Sequence, residues 1–102
     1  MSRTLLHPPA TQLELTSVLH ALSDPVRLEI VRKLDADEGC RCGELSLPVT
    51  KSTSTHHFRV LRESGVIEQV PEGTARLNRL RRDDLDARFP GLLDSVLRAA
   101  DA

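Results

Sequence analysis

Aromatic residues are scarce in this sequence, which has two phenylalanines but no tryptophan or tyrosine among its 102 residues. Proteins that bind single-stranded nucleic acid stack bases on aromatic side chains, so this scarcity argues against that class. The five glycines are not clustered, and there is neither a glycine-rich phosphate loop nor a Gly-x-Ser-x-Gly motif. We therefore expect a protein that is not an enzyme.

Long apolar runs are also missing, and there are only two cysteines, Cys40 and Cys42. No run is long enough to cross a bilayer, and residues 1–12 contain no extended apolar segment of the kind that secretory signals have. Two cysteines without such a signal favour a reducing compartment over a disulfide-bonded scaffold. The sequence thus predicts a cytoplasmic protein, without a membrane segment, that forms one domain over residues 1–102.

The charge is nearly balanced overall but unevenly distributed along the chain. The formal net charge is -1, yet residues 51–82 contain seven basic and three acidic residues, a net charge of +4, between two acidic flanks. A basic middle of this kind is typical of a nucleic-acid-binding face. A solvated surface without a partner would show the same pattern, so charge alone leaves both interpretations open.

Three segments have the apolar periodicity of amphipathic helices. Residues 13–22 carry leucines and a valine at positions i, i+3, i+4 and i+7, and a second helix is predicted from Pro25 to about Asp37. The third segment, 83–100, has a wide apolar face and a predicted break near Pro90. A short helix is also predicted over 43–46.

A further helix is predicted over 51–64, with Thr50 as its N-cap and Gly65 as its C-terminal stop. Its first half, KSTSTHH, is polar, whereas its apolar residues all lie in the second half. Serine and threonine are mediocre helix formers, and stability alone would favour Glu, Ala and Lys at these positions. The polar half-helix therefore indicates a binding role.

Two short strands follow this helix, at 66–70 and 75–80, separated by turn-forming residues. The alternation of the second strand slips by one position at Arg79. The order of elements predicts a mainly α (α+β) fold, a winged helix-turn-helix of about five helices with a two-stranded hairpin as its wing. The helix-turn-helix would span 43–64 and the wing 66–80.

In this arrangement the second helix of the pair enters the major groove of double-stranded DNA. The residues at its N-terminal end would face base edges, and the arginines of the wing would reach the DNA backbone or the minor groove. The predicted DNA contacts are Lys51, Ser52, Thr53, Thr55, His56, Arg59, Arg62, Arg76 and Arg79.

Two separate motifs resemble one known family. Residues 21–28 (ALSDPVRL) and 51–67 (KSTSTHHFRVLRESGVI) are similar to the second-helix opening and the recognition helix of ArsR/SmtB-type winged-helix repressors, and 72–74 (EGT) lies where their wing tip falls. The resemblance covers roughly residues 13–97. It implies a homodimer that binds a near-palindromic operator and usually represses transcription.

The resemblance also implies that the first and last helices, 13–22 and 83–100, form the dimer interface. Both segments carry an apolar stripe that such an interface could bury. The predicted interface residues are Leu15, Val18, Leu19, Leu22, Phe89, Leu92, Leu93, Val96 and Leu97.

Many members of this family release DNA when a metal binds, and the Cys40-Arg41-Cys42 sequence resembles one of their site types. It departs from that pattern, because Gly43 stands before Glu44-Leu45 and no third cysteine exists. No histidine follows His57, so the family's site on the last helix is absent. We expect no metal or other cofactor.

Two alternatives remain. One is a metal-responsive or thiol-responsive member that uses Cys40 and Cys42. The other is a winged helix that binds proteins, which the sequence pI near 6.4 favours. The inducer is not identified by the sequence.

Overall fold

The computed structural model describes residues 6–36, 40–41 and 48–101 of the chain. Within these ranges there are five α-helices and three β-strands, and none of the helices is long and apolar enough to span a membrane. The elements are a 3-10 helix at Ala10–Gln12, α1 at Leu15–Ala21, α2 at Pro25–Ala36, β1 at Cys40–Arg41, α3 at Lys51–Ser64, β2 at Ile67–Glu72, β3 at Ala75–Leu80, α4 at Arg82–Arg88 and α5 at Leu92–Asp101.

The predicted fold class, helices with a two-stranded hairpin, is confirmed. Helices α2 and α3 begin at Pro25 and Lys51, as the local start signals predict. The predicted short helix at 43–46 lies outside the described residues. Strand β1 was not expected from the sequence, and it pairs with β3 to give an antiparallel sheet in the order β1-β3-β2.

The first and last helical segments differ from their predicted bounds. Helix α1 is shorter than 13–22, because Glu14 has extended backbone angles and Leu13 lies before the helix, buried in the core. The segment 83–100 consists of two helices, α4 and α5. They are separated near Pro90, which lacks an N–H donor, and by Gly91, whose φ is 82°. The break near Pro90 is therefore confirmed.

The hairpin has a continuous register from Ile67 opposite Leu80 to Glu72 opposite Ala75. The second predicted strand, 75–80, has the bounds of β3, and the irregular alternation at Arg79 does not interrupt the pairing. The alternation is irregular because the buried face of the hairpin contains two polar residues, Gln69 and Asn78, which are paired across the strands. The Gln69 Nε2 donates to the Asn78 Oδ1 at 2.7 Å, so these inward-facing amides are bonded to each other.

One apolar core joins the helices to the hairpin. Its buried side chains come from every α-helix, from the first residue of β2 and from connecting residues: Leu13, Val18, Ala21, Leu22, Ile30, Val31, Leu34, Phe58, Leu61, Val66, Ile67, Leu85, Leu93 and Leu97. The segment before α1 is held by polar contacts as well. The Arg88 Nε donates to the Leu13 carbonyl at 2.9 Å, and the Arg81 Nη1 donates to the Pro8 carbonyl at 2.8 Å.

Candidate DNA-binding surface

Helix α3 begins with a side-chain cap that compensates for its poor helix formers. The Thr50 Oγ1 accepts a hydrogen bond from the backbone N–H of Thr53 at 3.3 Å. One turn later, the Thr55 hydroxyl donates to the Lys51 carbonyl at 3.0 Å. The Thr50 cap satisfies a backbone N–H that the first turn of a helix leaves open. The Thr55 bond shares a carbonyl that the helix already uses, so it occupies the hydroxyl without adding a cap.

The two faces of α3 differ sharply in burial. The inner face is packed against the core through His57, Phe58, Leu61 and Ser64. Six of the predicted DNA contacts are exposed on the helix and lie outside that inner face: Lys51, Ser52, Thr53, Thr55, His56 and Arg59.

The C-terminus of α3 fixes the direction of the hairpin. Gly65 has φ of 87° and donates to the Arg62 carbonyl at 3.1 Å, while the Val66 N–H donates to the Leu61 carbonyl at 3.0 Å. This is the Schellman pattern, in which a left-handed residue ends a helix. A Cβ placed on Gly65 would lie 2.0 Å from Leu13 Cδ2, so both the backbone angle and the space demand glycine.

Arg62, one of the predicted DNA contacts, also links α3 to the hairpin. It is half-buried, and its Nη1 donates to the Gln69 Oε1 at 2.8 Å, so it extends the buried amide pair of the hairpin to α3. Its Nε is buried without a hydrogen-bond partner in the described part of the chain. Burial, and secondarily the positive charge of Arg76, lower the pKa of Arg62. This side chain joins α3 to the hairpin, and its contact with DNA stays a prediction.

The two hairpin arginines lie on opposite faces of β3. Side chains alternate along a strand, so Arg76 shares the face of Asn78, while Arg79 shares the face of Leu77. Both are exposed, but Arg79 stands opposite Glu68 and lines a cleft that also contains Asp35. Arg76 and Arg79 thus lie on different faces, with Arg76 on the side of α3, and the contact of both with DNA stays a prediction.

Two arginines at the end of the basic segment are neutralised by carboxylates. The Arg81 Nε donates to Asp84 at 3.0 Å. Arg82 is hydrogen-bonded to Asp35 and, at 2.8 Å, to Asp94, and these two bonds raise its pKa. The basic surface is thus smaller than the sequence count of +4 indicates. Its exposed members are Lys51, Arg59, Arg76 and Arg79.

The residues predicted for the dimer interface divide into three groups. Leu15 and Leu19 on α1 are 46% and 43% exposed. Phe89, Leu92 and Val96 are partly buried and pack against the core from outside. Val18, Leu22, Leu93 and Leu97 are buried within the same chain, so they have almost no surface left for a partner, and their assignment to an interface is corrected.

The cysteine motif is described only in part. The backbone of Cys40 lies in β1, where it pairs with Asn78, and Cys42 lies outside the described residues. In the portions of the chain that the structure describes, no three His, Cys, Asp or Glu side chains are grouped as a metal site would require. His56 and His57 point in different directions, since one is exposed and the other is buried.

Arg27 on α2, which has no predicted role, is buried and contacts the inner face of α3. Arg27 is 7% exposed, and its Nη1 lies 3.1 Å from the Nδ1 of His57, which is also 7% exposed. The available signal was the position of Arg27 within the ALSDPVRL motif, where a charged residue falls in an otherwise apolar stripe.

A capped helix with one exposed polar face, followed directly by a hairpin, is the arrangement of a winged-helix DNA-binding domain. Residues 22–70 match a family model described as a helix-turn-helix domain. The chain is 32% identical over 82 residues to the uncharacterized HTH-type transcriptional regulator YceK of Bacillus subtilis, and the match covers 78% of this chain and 82% of that protein.

A second relative is the arsenical resistance operon repressor of Staphylococcus xylosus, which is 32% identical over 72% of this chain and 71% of its own length. The solved structure of an ArsR-like transcriptional regulator from Rhodococcus sp. RHA1 is 27% identical, with a TM-score of 0.67 over 91% of this chain and 89% of that one. The chain belongs to the ArsR family of winged helix-turn-helix regulators. It is a DNA-binding transcriptional repressor, and its relatives are regulators, not enzymes.

Proposed function

We propose that this protein represses transcription as a homodimer that binds an inverted-repeat operator, with α3 in the major groove and the hairpin alongside. One observation carries the proposal. Helix α3 buries one face and leaves exposed the hydrogen-bonding side chains of its N-terminal half. The major groove is wide enough for a helix, and its base edges present a distinct pattern of donors and acceptors to such side chains.

In this proposal the DNA contacts form two sets. The exposed polar side chains of the first two turns of α3 face base edges: Lys51, Ser52, Thr53, Thr55 and His56. Arg59 and Arg76 neutralise phosphates on either side, since a flexible cation suits a phosphate without sequence preference. Arg62 bonds to Gln69 of the hairpin, and Arg79 is a peripheral cation on the hairpin face that points away from α3.

The homodimer is supported by the apolar surface that the single chain leaves uncovered. Leu15 and Leu19 are large exposed side chains on one short helix, four positions apart and hence on one face. Phe89, Leu92 and Val96 add half-buried apolar surface at the other end of the chain. A two-fold dimer would match an operator with two-fold symmetry.

The proposal is tested by selecting bound duplexes from a random DNA library and sequencing them. We expect an inverted repeat whose half-sites are about one helical turn apart. Affinity for that duplex should fall steeply as salt rises, because phosphate contacts release counterions. Failure of the folded protein to enrich any sequence, with no affinity at low salt, would favour the alternative of a protein-binding winged helix.

We also propose that the protein acts in the cytoplasm of a prokaryote, where its DNA ligand is found. The two sequence relatives are proteins of bacteria, which supports this location. Fractionation of cells that produce the protein at native level, with detection by antibody, tests it.

A second candidate function is release of DNA when a soft metal or an oxidant reacts with Cys40 and Cys42. It is favoured by the pairing of Cys40 with Asn78, whose side chain is bonded to Gln69 and through it to Arg62 on α3. Titration of the protein–duplex complex with arsenite, zinc and peroxide tests it. Release by one of them that is lost in Cys42→Ser would support this function, and no release by any of them would oppose it.

A further inference from the structure

The N-terminal segment, residues 7–13, lies across the base of the hairpin. Pro8 and Leu13 pack against Gly65, where α3 ends, and their side chains are the nearest to the position that a Cβ on Gly65 would occupy. The backbone carbonyls of the same two residues accept hydrogen bonds from an arginine just after β3 and from another at the end of α4. The segment is therefore fixed to three neighbouring parts of the fold.

His7 brings this segment to the edge of the sheet. In the described sheet, with the order β1-β3-β2, strand β2 is an edge strand, and such a strand leaves alternate N–H groups without a partner in the sheet. One of these groups belongs to Gln69, which donates to the Nε2 of His7 at 2.9 Å. Two residues further along the same edge is Pro71, which has no N–H to satisfy. At this one position an imidazole from the N-terminal segment thus takes the place of a neighbouring strand.

At the same level the hairpin is supported from its other edge. Gln69 stands opposite Asn78 on β3, and Asn78 also pairs with Cys40 of β1. His7 and β1 therefore flank the same residue pair of the hairpin. Beyond this pair the tip of the hairpin, residues 71–74, is exposed. The direction of the tip hence depends on how the hairpin is held at Gln69 and Asn78.

Gln69 also connects the hairpin to the DNA-binding helix. Its side chain accepts from Arg62 of α3 at 2.8 Å and donates to Asn78 at 2.7 Å, and the residue is 2% exposed. Arg76, the proposed phosphate contact, lies two positions before Asn78 and shares its face of β3. Burial, and after it the positive charge of Arg76, lower the pKa of Arg62, so the two guanidinium groups are near each other. A displacement of β2 at Gln69 would therefore reach Arg76.

We infer that His7 is a positioning residue for the wing, whose bond to the Gln69 N–H holds the hairpin at the angle to α3 at which Arg76 meets a phosphate. This inference rests on the proposed docking of α3 and the hairpin on DNA. His7 is not one of the proposed DNA contacts, so it acts through the strand that it holds. The other anchors of the N-terminal segment, at Gly65, after β3 and at the end of α4, do not involve the imidazole. A variant of His7 should therefore remain folded while its hairpin loses support at one edge.

The first experiment compares His7→Leu with His7→Gln in binding to the duplex that the wild-type protein selects. Leucine has no acceptor, whereas the side-chain carbonyl of glutamine reaches the Nε2 position of the imidazole. His7→Leu should lower affinity about fivefold, as for the loss of one hydrogen bond between neutral groups, and His7→Gln should restore it. The matched control is Leu6→Ala, because Leu6 adjoins His7 and is 87% exposed, and this variant should bind like wild type.

The salt dependence of binding shows whether this loss passes through Arg76. His7→Leu should reduce the salt slope toward that of Arg76→Ala, by up to about 1. Partial unfolding would lower affinity without changing the slope, since the folded fraction still binds the same phosphates. The double variant His7→Leu/Arg76→Ala should bind about as weakly as Arg76→Ala, because the contact that His7 orients is already gone. An unchanged slope in His7→Leu, or effects of the two substitutions that simply multiply, would overturn the inference.

The second experiment does not use DNA. Amide hydrogen exchange of the free protein, followed residue by residue, should be faster at Gln69 and along β2 and β3 in His7→Leu than in wild type, while α3 exchanges at wild-type rates. Equal exchange along the hairpin in the two proteins would also overturn the inference. If instead Arg76→Ala leaves both affinity and salt slope unchanged, the proposed docking of the wing is wrong, while the exchange result still decides whether His7 holds the hairpin. Thermal unfolding of each variant verifies that it is folded.

Discussion

Helix α3 and the hairpin that follows it place their polar residues in opposite ways. The helix keeps most of its polar side chains outside and packs Phe58 and Leu61 inside, with His57 and Ser64 as its buried polar residues. The hairpin buries the amides of Gln69 and Asn78 and leaves Val70 42% exposed. The helix thus largely follows the usual division between apolar core and polar surface, while the hairpin is held by a buried hydrogen-bond network that reaches α3 through Arg62. The DNA-binding surface therefore depends on the contacts that join α3 to the hairpin, at Gly65 and Arg62.

A substitution at Gly65, where α3 meets the hairpin, should give the largest effect on stability. Gly65→Ala combines a positive φ with a clash against Leu13, so we expect a loss of about 2–4 kcal/mol in the free energy of unfolding. The matched control is Gly73→Ala at the hairpin turn, where φ is 61° but no atom lies within 4 Å, and it should cost about 1–2 kcal/mol. Urea denaturation measures both. Equal costs would show that the contact with Leu13 is unimportant.

The buried amides of the hairpin should give the next largest effect. Asn78→Leu removes the acceptor of the Gln69 amide, and an unsatisfied buried donor costs about 1–3 kcal/mol. The double variant Gln69→Leu/Asn78→Leu should be destabilised by less than the sum of the single variants, because it removes both partners. A double-mutant cycle by urea denaturation measures the coupling. Strict additivity would mean that the two amides do not depend on each other.

The two faces of the hairpin should differ in their effect on DNA binding. Arg76 lies on the side of α3, so Arg76→Ala should lower affinity about equally for all sequences and reduce the salt slope by about 1. Arg79 lies on the opposite face, near Glu68 and Asp35, so Arg79→Ala should leave the slope close to that of wild type. Titrations of a duplex at several salt concentrations compare the two. A larger change for Arg79→Ala would reverse the assignment of faces.

Asp24, in the turn before α2, should give the smallest effect on stability, part of which depends on pH. Burial by itself raises the pKa of Asp24, but hydrogen bonds from the backbone of Arg27 and Val26 lower it more, and the net pKa is below its usual value. The stability from this ionised cap is thus present above about pH 4 and is lost as the pH falls through the lowered pKa.

Asp24→Asn keeps an N-cap acceptor without the charge, so it should cost less than about 1 kcal/mol at pH 7 and remove part of the acid dependence. Urea denaturation at pH 7, 5 and 3 measures both terms. The control is Asp83→Asn, an exposed carboxylate in the first turn of α4. An Asp24→Asn protein with the same acid dependence as wild type would contradict the assignment of the cap.

Sequence reasoning was most accurate for α3. Its predicted bounds, 51–64, are those of the structure, because Thr50 and Gly65 act on backbone groups within a few residues of themselves. The predicted bounds of the strand that contains Arg79, 75–80, are also those of the structure, but its burial did not follow from the pattern. An alternation of polar and apolar residues shows which side chains share a face of a strand but not which face is buried, and here the buried face of the hairpin includes the amides of Gln69 and Asn78 beside Ile67.

The leucine stripes illustrate the same limit. Their periodicity correctly predicted helices, yet it did not separate Leu15 and Leu19, which are exposed, from Val18 and Leu22, which are core. Residues at helical spacing share one broad stripe, and its division between core and surface depends on how the helices cross. Arg62 was likewise grouped with the exposed cations, because its sequence neighbours do not reveal the Gln69 amide beside it.

The sequence by itself determined the order of the helices and of the hairpin strands, the caps of α2 and α3, and the polar composition of the DNA-binding helix. All of these rest on interactions between residues one to five positions apart. The tertiary structure alone decided that Arg27 meets His57 across 30 positions and that Gln69 meets His7 across 62. Buried polar groups must find partners wherever the fold provides them, so these pairings follow from the packing of whole elements and not from any local pattern.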